Sequence, residues 1–310
     1  MGKTAIVFSG QGAQYPGMGK SFYENSPTAK KLYDFAEGVR SGTIAQSFEG
    51  TAQELCRTEN AQPCLYLVDI CAALALMEMG VAADGVAGFS LGEIAALAYA
   101  GAYSCEEGFS IVTRRAQYMQ EAADAHDTSM AAVLKVDSAA VVKMCADIAQ
   151  GGEKIFPVNY NSPVQTVVAG SKDAIAQLKP VAKEQGARVV DLAVGAAFHS
   201  PYMDDAAEKF AKYLGEVNLA VPSLPVYANY TAAPYEGETI ATLSKQMNNP
   251  VRWCDTIKRM CADGYTDFIE AGAGKTLCGL IRKIAPEARV YSAENYEALA
   301  EIAEAVKNNA

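Results

Sequence analysis

The sequence predicts an α/β protein built on a largely parallel sheet, with a smaller block inserted into it. Three observations carry this expectation. Short apolar runs alternate with longer stretches of helical periodicity over most of the 310 residues, as in strands joined by crossover helices. One segment breaks that rhythm and reads strand-helix-strand-strand-helix-strand, the ferredoxin-like order. A Gly88-Phe89-Ser90-Leu91-Gly92 turn lies between an apolar run and a helical one, the setting of a sharp strand-to-helix elbow.

Taken in order, residues 4–8 form a first strand and Gly10-Gln11-Gly12 the loop after it. Residues 62–79, 92–100 and 105–123 carry helical periodicity, and 85–87 are the apolar run before the elbow. The acidic, small-residue stretch 121–128 marks a boundary. In the inserted block, strands at 131–136, 155–160, 166–169 and 188–192 are interleaved with helices at 138–149 and 173–185. Beyond it, 222–228 is a strand flanked by prolines, 253–262 a helix and 268–270 a strand. A helix at 275–284 follows a glycine turn, and another at 299–308 closes the chain. The organisation expected is a discontinuous catalytic domain, residues 1–126 and 197–310, around a ferredoxin-like subdomain at 127–196. Such an insertion forms one wall of a cleft, and clefts between domains are common ligand sites.

Bulk properties exclude several function classes. Half the residues are hydrophobic and a fifth charged, as in ordinary globular enzymes. A net charge of −10 argues against a nucleic-acid binder, whose affinity would rest on a Lys/Arg surface, though not against a local basic patch. The apolar stretch at the N-terminus is too short for a signal peptide, and Ile6 stands where myristoylation needs Ser or Thr. The longest apolar run, around 65–79, is interrupted by Asp69 and Glu78, so no membrane span is expected. Eight cysteines are scattered without C-x-x-C pairs or Cys/His clusters, which suits a reduced, metal-free, cytoplasmic protein.

The elbow is the main carrier of chemistry. Its glycines permit a turn that would crowd a Cβ, and the turn presents the Ser90 hydroxyl beside a helix N-terminus, whose unpaired N–H groups stabilise an oxyanion. A glycine-rich turn whose serine merely caps a helix is the plainer alternative. A serine nucleophile needs a base, and there are two histidines. His126 lies in a polar boundary and reads as a solvated loop residue; His199, just past the inserted block, is the candidate partner of Ser90. For a third member, the chain order of an α/β-hydrolase offers Asp173 or Asp191, both inside the inserted block. A backbone carbonyl holding the imidazole N–H is the other option. Gly10-Gln11-Gly12, at the carboxyl edge of the sheet, offers a second oxyanion donor to complement the Leu91 N–H, or is an ordinary tight turn. Gly274-Lys275-Thr276 and Gly19-Lys20-Ser21 resemble the end of a phosphate loop, but its first glycine would fall on Ile269 and Gln14, so both fail.

The run from Phe8 to Gly19 resembles the opening signature of the malonyl-CoA:acyl carrier protein transacylase family and of the related acyltransferase domains of polyketide and fatty acid synthases. Gln62-Pro63, Gly88 to Glu93, Arg115 to Gln120, Asn159-Tyr160-Asn161-Ser162-Pro163, Ala197 to Ser200 and Asn249 to Trp253 match in order, from end to end. The resemblance implies an α/β-hydrolase-like core with an inserted ferredoxin-like subdomain. It also implies roles: Ser90 is similar to the acylated nucleophile, His199 to its base, and the Gln11 and Leu91 N–H groups to the oxyanion hole. Arg115 resembles the arginine that grips the malonyl carboxylate, with Gln62 in the same pocket, Asn161 lining the cleft and the Gln246 carbonyl orienting the histidine. Phe198 before His199 fits malonyl-selecting relatives better than methylmalonyl ones. Two positions depart from the pattern: Phe89 stands where many relatives have histidine, and Ala273 replaces a proline.

Arg115 also has a physical case of its own. A malonyl group needs a fixed cation, and a guanidinium binds carboxylate through two parallel hydrogen bonds. Read alone, either member of Arg114-Arg115 would more simply favour the negative end of the helix from Cys105. The expected activity is malonyl transfer from malonyl-CoA to the phosphopantetheine thiol of an acyl carrier protein, with no bound cofactor, metal, nucleic acid or membrane. A serine hydrolase would share the dyad without needing a buried arginine, and a non-catalytic carrier-binding module would lack the dyad.

Overall fold

Strand β1, Lys3–Phe8, is the middle of a five-stranded parallel sheet and is buried along all but its first residue. β2 (Gly85–Gly88) lies beside it. Four strands then make a separate sheet: β3 (Thr128–Leu134), β4 (Ile155–Ser162), β5 (Gln165–Ser171) and β6 (Arg188–Asp191). β7 (Val226–Tyr227), β8 (Tyr265–Ala271) and β9 (Arg289–Ala293) return to the first, whose order is β7-β2-β1-β8-β9 with every pairing parallel. This is a computed structural model; it describes residues 2–194 and 196–309. Met1, Gly195 and Ala310, which the domain limits read from the sequence include, lie outside the described residues.

A parallel sheet needs cover on both faces, and β1 shows it residue by residue. Ile6 and Phe8 pack into the core built on the helix Thr58–Glu78, while Ala5 and Val7 face Trp253, Ile257 and Ile281 on the other side. The helix Thr58–Glu78 runs 21 residues, longer than the apolar run around 65–79, because Thr58 to Cys64 continue it toward the N-terminus. By length and hydropathy it is enough to cross a membrane, yet 83% of its most apolar window is buried inside the protein, so it is a core helix. Asp69 sits on it fully buried, accepting from Ser9 Oγ at 2.7 Å; burial pushes its carboxyl well above the usual range.

The second sheet runs β4-β5-β3-β6 with antiparallel pairings. Helices Ser138–Gln150 and Lys172–Glu184 cover one face through Val141, Met144, Ile175 and Leu178. Each is capped as its sequence suggests, Asp137 accepting from Ala140 N and Ser171 from Ala174 N. The opposite face, with Met130, Ala132, Val167 and Ala169, joins the main core. Val251 ties the two parts: its N–H donates to Val158 O at 2.8 Å and its carbonyl accepts from Tyr160 N at 2.9 Å.

Some expectations need correction. The strand at 222–228 shrinks to β7, since Pro222 and Pro225 have no N–H for a ladder. Helices Pro27–Val39 and Asp204–Leu214 and strand β9 were not anticipated. Arg115 lies near the middle of the helix Cys105–Asp124, too far from its end for the terminal dipole to explain it.

Candidate active site

The elbow forms because side chains are excluded around it. A Cβ at Gly88 would overlap the Gly92 backbone, and one at Gly92 would overlap the carbonyl of Phe8. Between them Ser90 is held at a φ of 54°, in the left-handed region. Its backbone is clamped from outside: Ser90 N donates to Asn229 Oδ1 at 2.7 Å, and Ser90 O accepts from Gln246 Nε2 at 2.7 Å. Asn229 Nδ2 also binds Gly88 O at 2.6 Å. Strain of this kind persists only where the surroundings over-determine it.

His199 reaches Ser90 from the loop that follows the second sheet. Its Nε2 lies 2.8 Å from Ser90 Oγ, and its Nδ1 lies 2.8 Å from Gln246 O. A carbonyl only accepts, so the proton sits on Nδ1 and Nε2 is left as the base. The residue is itself at a φ of 60°, with its N–H donated to Met247 O at 3.1 Å. Burial, and then the charge of Arg115, bring its pKa down to about 4, so the ring is neutral at physiological pH. Neither candidate aspartate is among its partners. Asp191 is paired with Lys179 at 2.8 Å on the edge strand β6, and Asp173 lies in the first turn of the helix Lys172–Glu184. His126 is exposed and packs edge-on against Tyr202.

Arg115 is fully buried beside the dyad. Nη1 donates to Gln62 Oε1 at 2.7 Å; Nη2 donates to Gln246 Oε1 at 2.7 Å and to Ser90 Oγ at 3.1 Å. Nε has no partner among the described residues. Burial lowers its pKa and the negative charge of Glu93 offsets part of that, leaving it at about 10, so it remains a cation at neutral pH. Arg114 is exposed, bonded to Gln117 and stacked over Tyr213, as a solvated neighbour.

The amide N–H groups of Gln11 and Leu91 donate to nothing among the described residues, Leu91 being the N-cap of the helix Gly92–Tyr99. The Gln11 side chain bonds Thr58 Oγ1 at 3.2 Å and accepts from Gln62 Nε2 at 3.3 Å. Over the dyad lies a cavity of about 80 Å³ whose lining includes Gln11, Met119, Asn159, Phe198 and His199. Gln11, Val194 and Phe198 are shared with a second cavity of about 240 Å³ that leads past Arg57 and Gln120. Asn161 is buried but does not line either cavity; Asn159 lines the smaller one, and both amide oxygens lack a partner among the described residues. Phe89 lines the dyad cavity and packs on Trp253 at 5.6 Å, while Ala273 is fully buried.

Asn229 and Tyr235 escaped the sequence reading. They are single polar residues in an irregular stretch, where no spacing marks them. Glu93 was visible only as the end of the elbow motif, yet its buried carboxylate accepts from Asn229 N at 2.9 Å, from Gln246 Nε2 at 3.1 Å and from the Tyr235 hydroxyl.

Residues 5–298 match the acyl transferase domain family. The chain is 38% identical over 288 residues to the malonyl CoA-acyl carrier protein transacylase of Bacillus subtilis, a match spanning 92% of this chain and 91% of the relative. Among solved structures it resembles the malonyl CoA-acyl carrier protein transacylase of Clostridium perfringens, with a TM-score of 0.94 at 30% identity over 99% of this chain and 98% of that one. A malonyl-transacylase solved in complex with a type II polyketide synthase acyl-carrier protein gives a TM-score of 0.94 at 30% identity, covering 98% and 99%.

Proposed function

Because the chain belongs to the acyl transferase family, we propose that it moves a malonyl group from malonyl-CoA, through an ester on Ser90, to the phosphopantetheine thiol of an acyl carrier protein. His199 Nε2 takes the Ser90 proton as the oxygen attacks the thioester carbonyl. The oxyanion of the tetrahedral intermediate rests on the N–H groups of Gln11 and Leu91, which stand unengaged. Collapse expels the coenzyme A thiolate, which receives the proton from His199. The carrier thiol then enters, gives its proton to Nε2, attacks the malonyl ester, and Ser90 leaves with that proton. Gln246 O keeps the imidazole in one tautomer throughout. No bound cofactor takes part in these steps.

One observation carries the malonyl reading: a buried guanidinium lies 3.1 Å from a serine hydroxyl that is paired with a histidine. A hydrolase of neutral esters has no use for such a cation. Gln62 holds the fork from one side, and Phe198 and Asn159 supply walls. The ferredoxin-like subdomain, 127–196, closes the cleft over the catalytic segments 1–126 and 197–310. Eight cysteines, all free, support a reducing, cytoplasmic setting.

Intact-protein mass spectrometry tests the reading. Brief exposure to malonyl-CoA should add one malonyl group, and a carrier protein bearing phosphopantetheine should then discharge it. No adduct, or discharge to water alone, would count against a transferase. The carbonyl-held histidine has its own consequence. Asp173→Asn and Asp191→Asn should each leave turnover within about twofold, where loss of a true triad carboxylate costs about 10⁴. Steady-state transfer by the two purified variants decides this.

A further inference from the structure

Glu93 takes no part in the transfer steps, yet the parts that do are tied to it. Its carboxylate is fully buried, and each partner it has is a donor: Asn229 N at 2.9 Å and Gln246 Nε2 at 3.1 Å on Oε2, and the Tyr235 hydroxyl on Oε1. An ionised carboxylate satisfies all three. The Gln246 amide is pinned at both ends, since Nε2 also donates to Ser90 O at 2.7 Å and Oε1 accepts from Arg115 Nη2 at 2.7 Å. Without Glu93 the amide keeps those two bonds but loses the third, which ties its NH₂ to the frame, so Oε1 is aimed less firmly at the guanidinium.

We propose that Glu93 is a positioning residue: through the Gln246 side chain it fixes the Arg115 fork at the acyl pocket and so sets the preference for acyl groups that end in a carboxylate. The proposal rests on Ser90 as acyl carrier and Arg115 as clamp. It separates Glu93 from a merely structural residue, whose loss would slow every acyl group alike.

The test is the ratio of kcat/KM for malonyl-CoA to that for acetyl-CoA, with a thermal melt for each variant. Glu93→Ala removes the anchor, Glu93→Asp withdraws it from Gln246, and Gln246→Leu cuts the relay while retaining the carbonyl that His199 uses. Each should lower the ratio by about tenfold or more, the scale of one lost hydrogen bond to a charged group. Glu93→Gln can keep its oxygen toward Asn229 and Gln246 and turn its NH₂ to the Tyr235 hydroxyl, so the ratio should return to within about threefold of wild type. The double variant Glu93→Ala/Gln246→Leu should be no worse in ratio than either single one, because both break one relay. Equal losses on the two thioesters in Glu93→Asp and Gln246→Leu would overturn the proposal, and these variants decide it even if Glu93→Ala does not fold. A wild-type protein that forms no malonyl ester would instead overturn the reading beneath it.

Discussion

Ser90→Ala is expected to form no malonyl adduct at all, and to lose about 10⁶ in turnover, the scale seen when a serine nucleophile is deleted. The fold should survive. The backbone at this position is held by Asn229 and Gln246, not by the hydroxyl, and alanine meets no new contact at the same φ of 54°. Removing Oγ leaves Arg115 Nη2 its bond to Gln246 and strands only one lone pair on His199, a cost of about 1 kcal/mol. Mass spectrometry after malonyl-CoA exposure, beside a thermal melt, reads both parts. A surviving adduct on the folded variant would remove Ser90 from the mechanism.

Arg115→Ala should collapse or invert the preference for malonyl over acetyl. The malonyl carboxylate would enter a buried pocket without its cation, and truncating one member of such a pair costs about 2–5 kcal/mol. Acetyl-CoA brings no carboxylate and serves as the internal control. Arg115→Lys should recover part of the preference, because an ammonium is a point charge and not a planar fork. Arg115→Ala also moves the pH profile. His199 is held at about 4 first by burial and then by the Arg115 charge. The base works when neutral, so wild-type activity should fall only at strongly acid pH. With Arg115 gone the acid limb should rise toward the ordinary histidine value of about 6.5 and stop short of it, because burial remains. The ratio of kcat/KM for the two thioesters, and the acetyl profile against pH, check these outcomes. An unchanged ratio would make Arg115 a packing residue.

The elbow, the inserted strand-helix order and the nucleophile–base pair were legible because each is written in local chemistry. Glycines mark the turn, period-two and period-3.6 patterns mark the block, and the scarcity of histidine marks His199. The helix Pro27–Val39 carries local signals too: Ser26 as its cap, proline at its start, and Leu32, Tyr33 and Ala36 on one face. Asp204–Leu214 likewise shows two aspartates in its first turn and a buried stripe through Phe210 and Leu214. Other features had no local signature. Asn229 holds Ser90 across 139 positions of sequence, and Glu93 meets Asn229 only once β7 lies beside β2. Asn159 lines the cavity and Asn161 does not, and the register of β4 shifts at both places, between Pro157 and Asn159 and between Tyr160 and Ser162, which an alternating pattern read from sequence does not show.

The outside grip on residue 90 has a wider meaning for how this chain can change. Its amide and its carbonyl are both bound by side chains from a distant part of the sequence, so the direction in which its side chain emerges belongs to the frame. The reactive group is a replaceable tip on a fixed mount. Exchange of the tip alters the chemistry offered to His199 while leaving its aim, whereas a change at Asn229 or Gln246 leaves the serine in place and spoils the aim. Drift in sequence is therefore tolerated very unevenly here: the residues that never touch the acyl group are as constrained as the one that carries it.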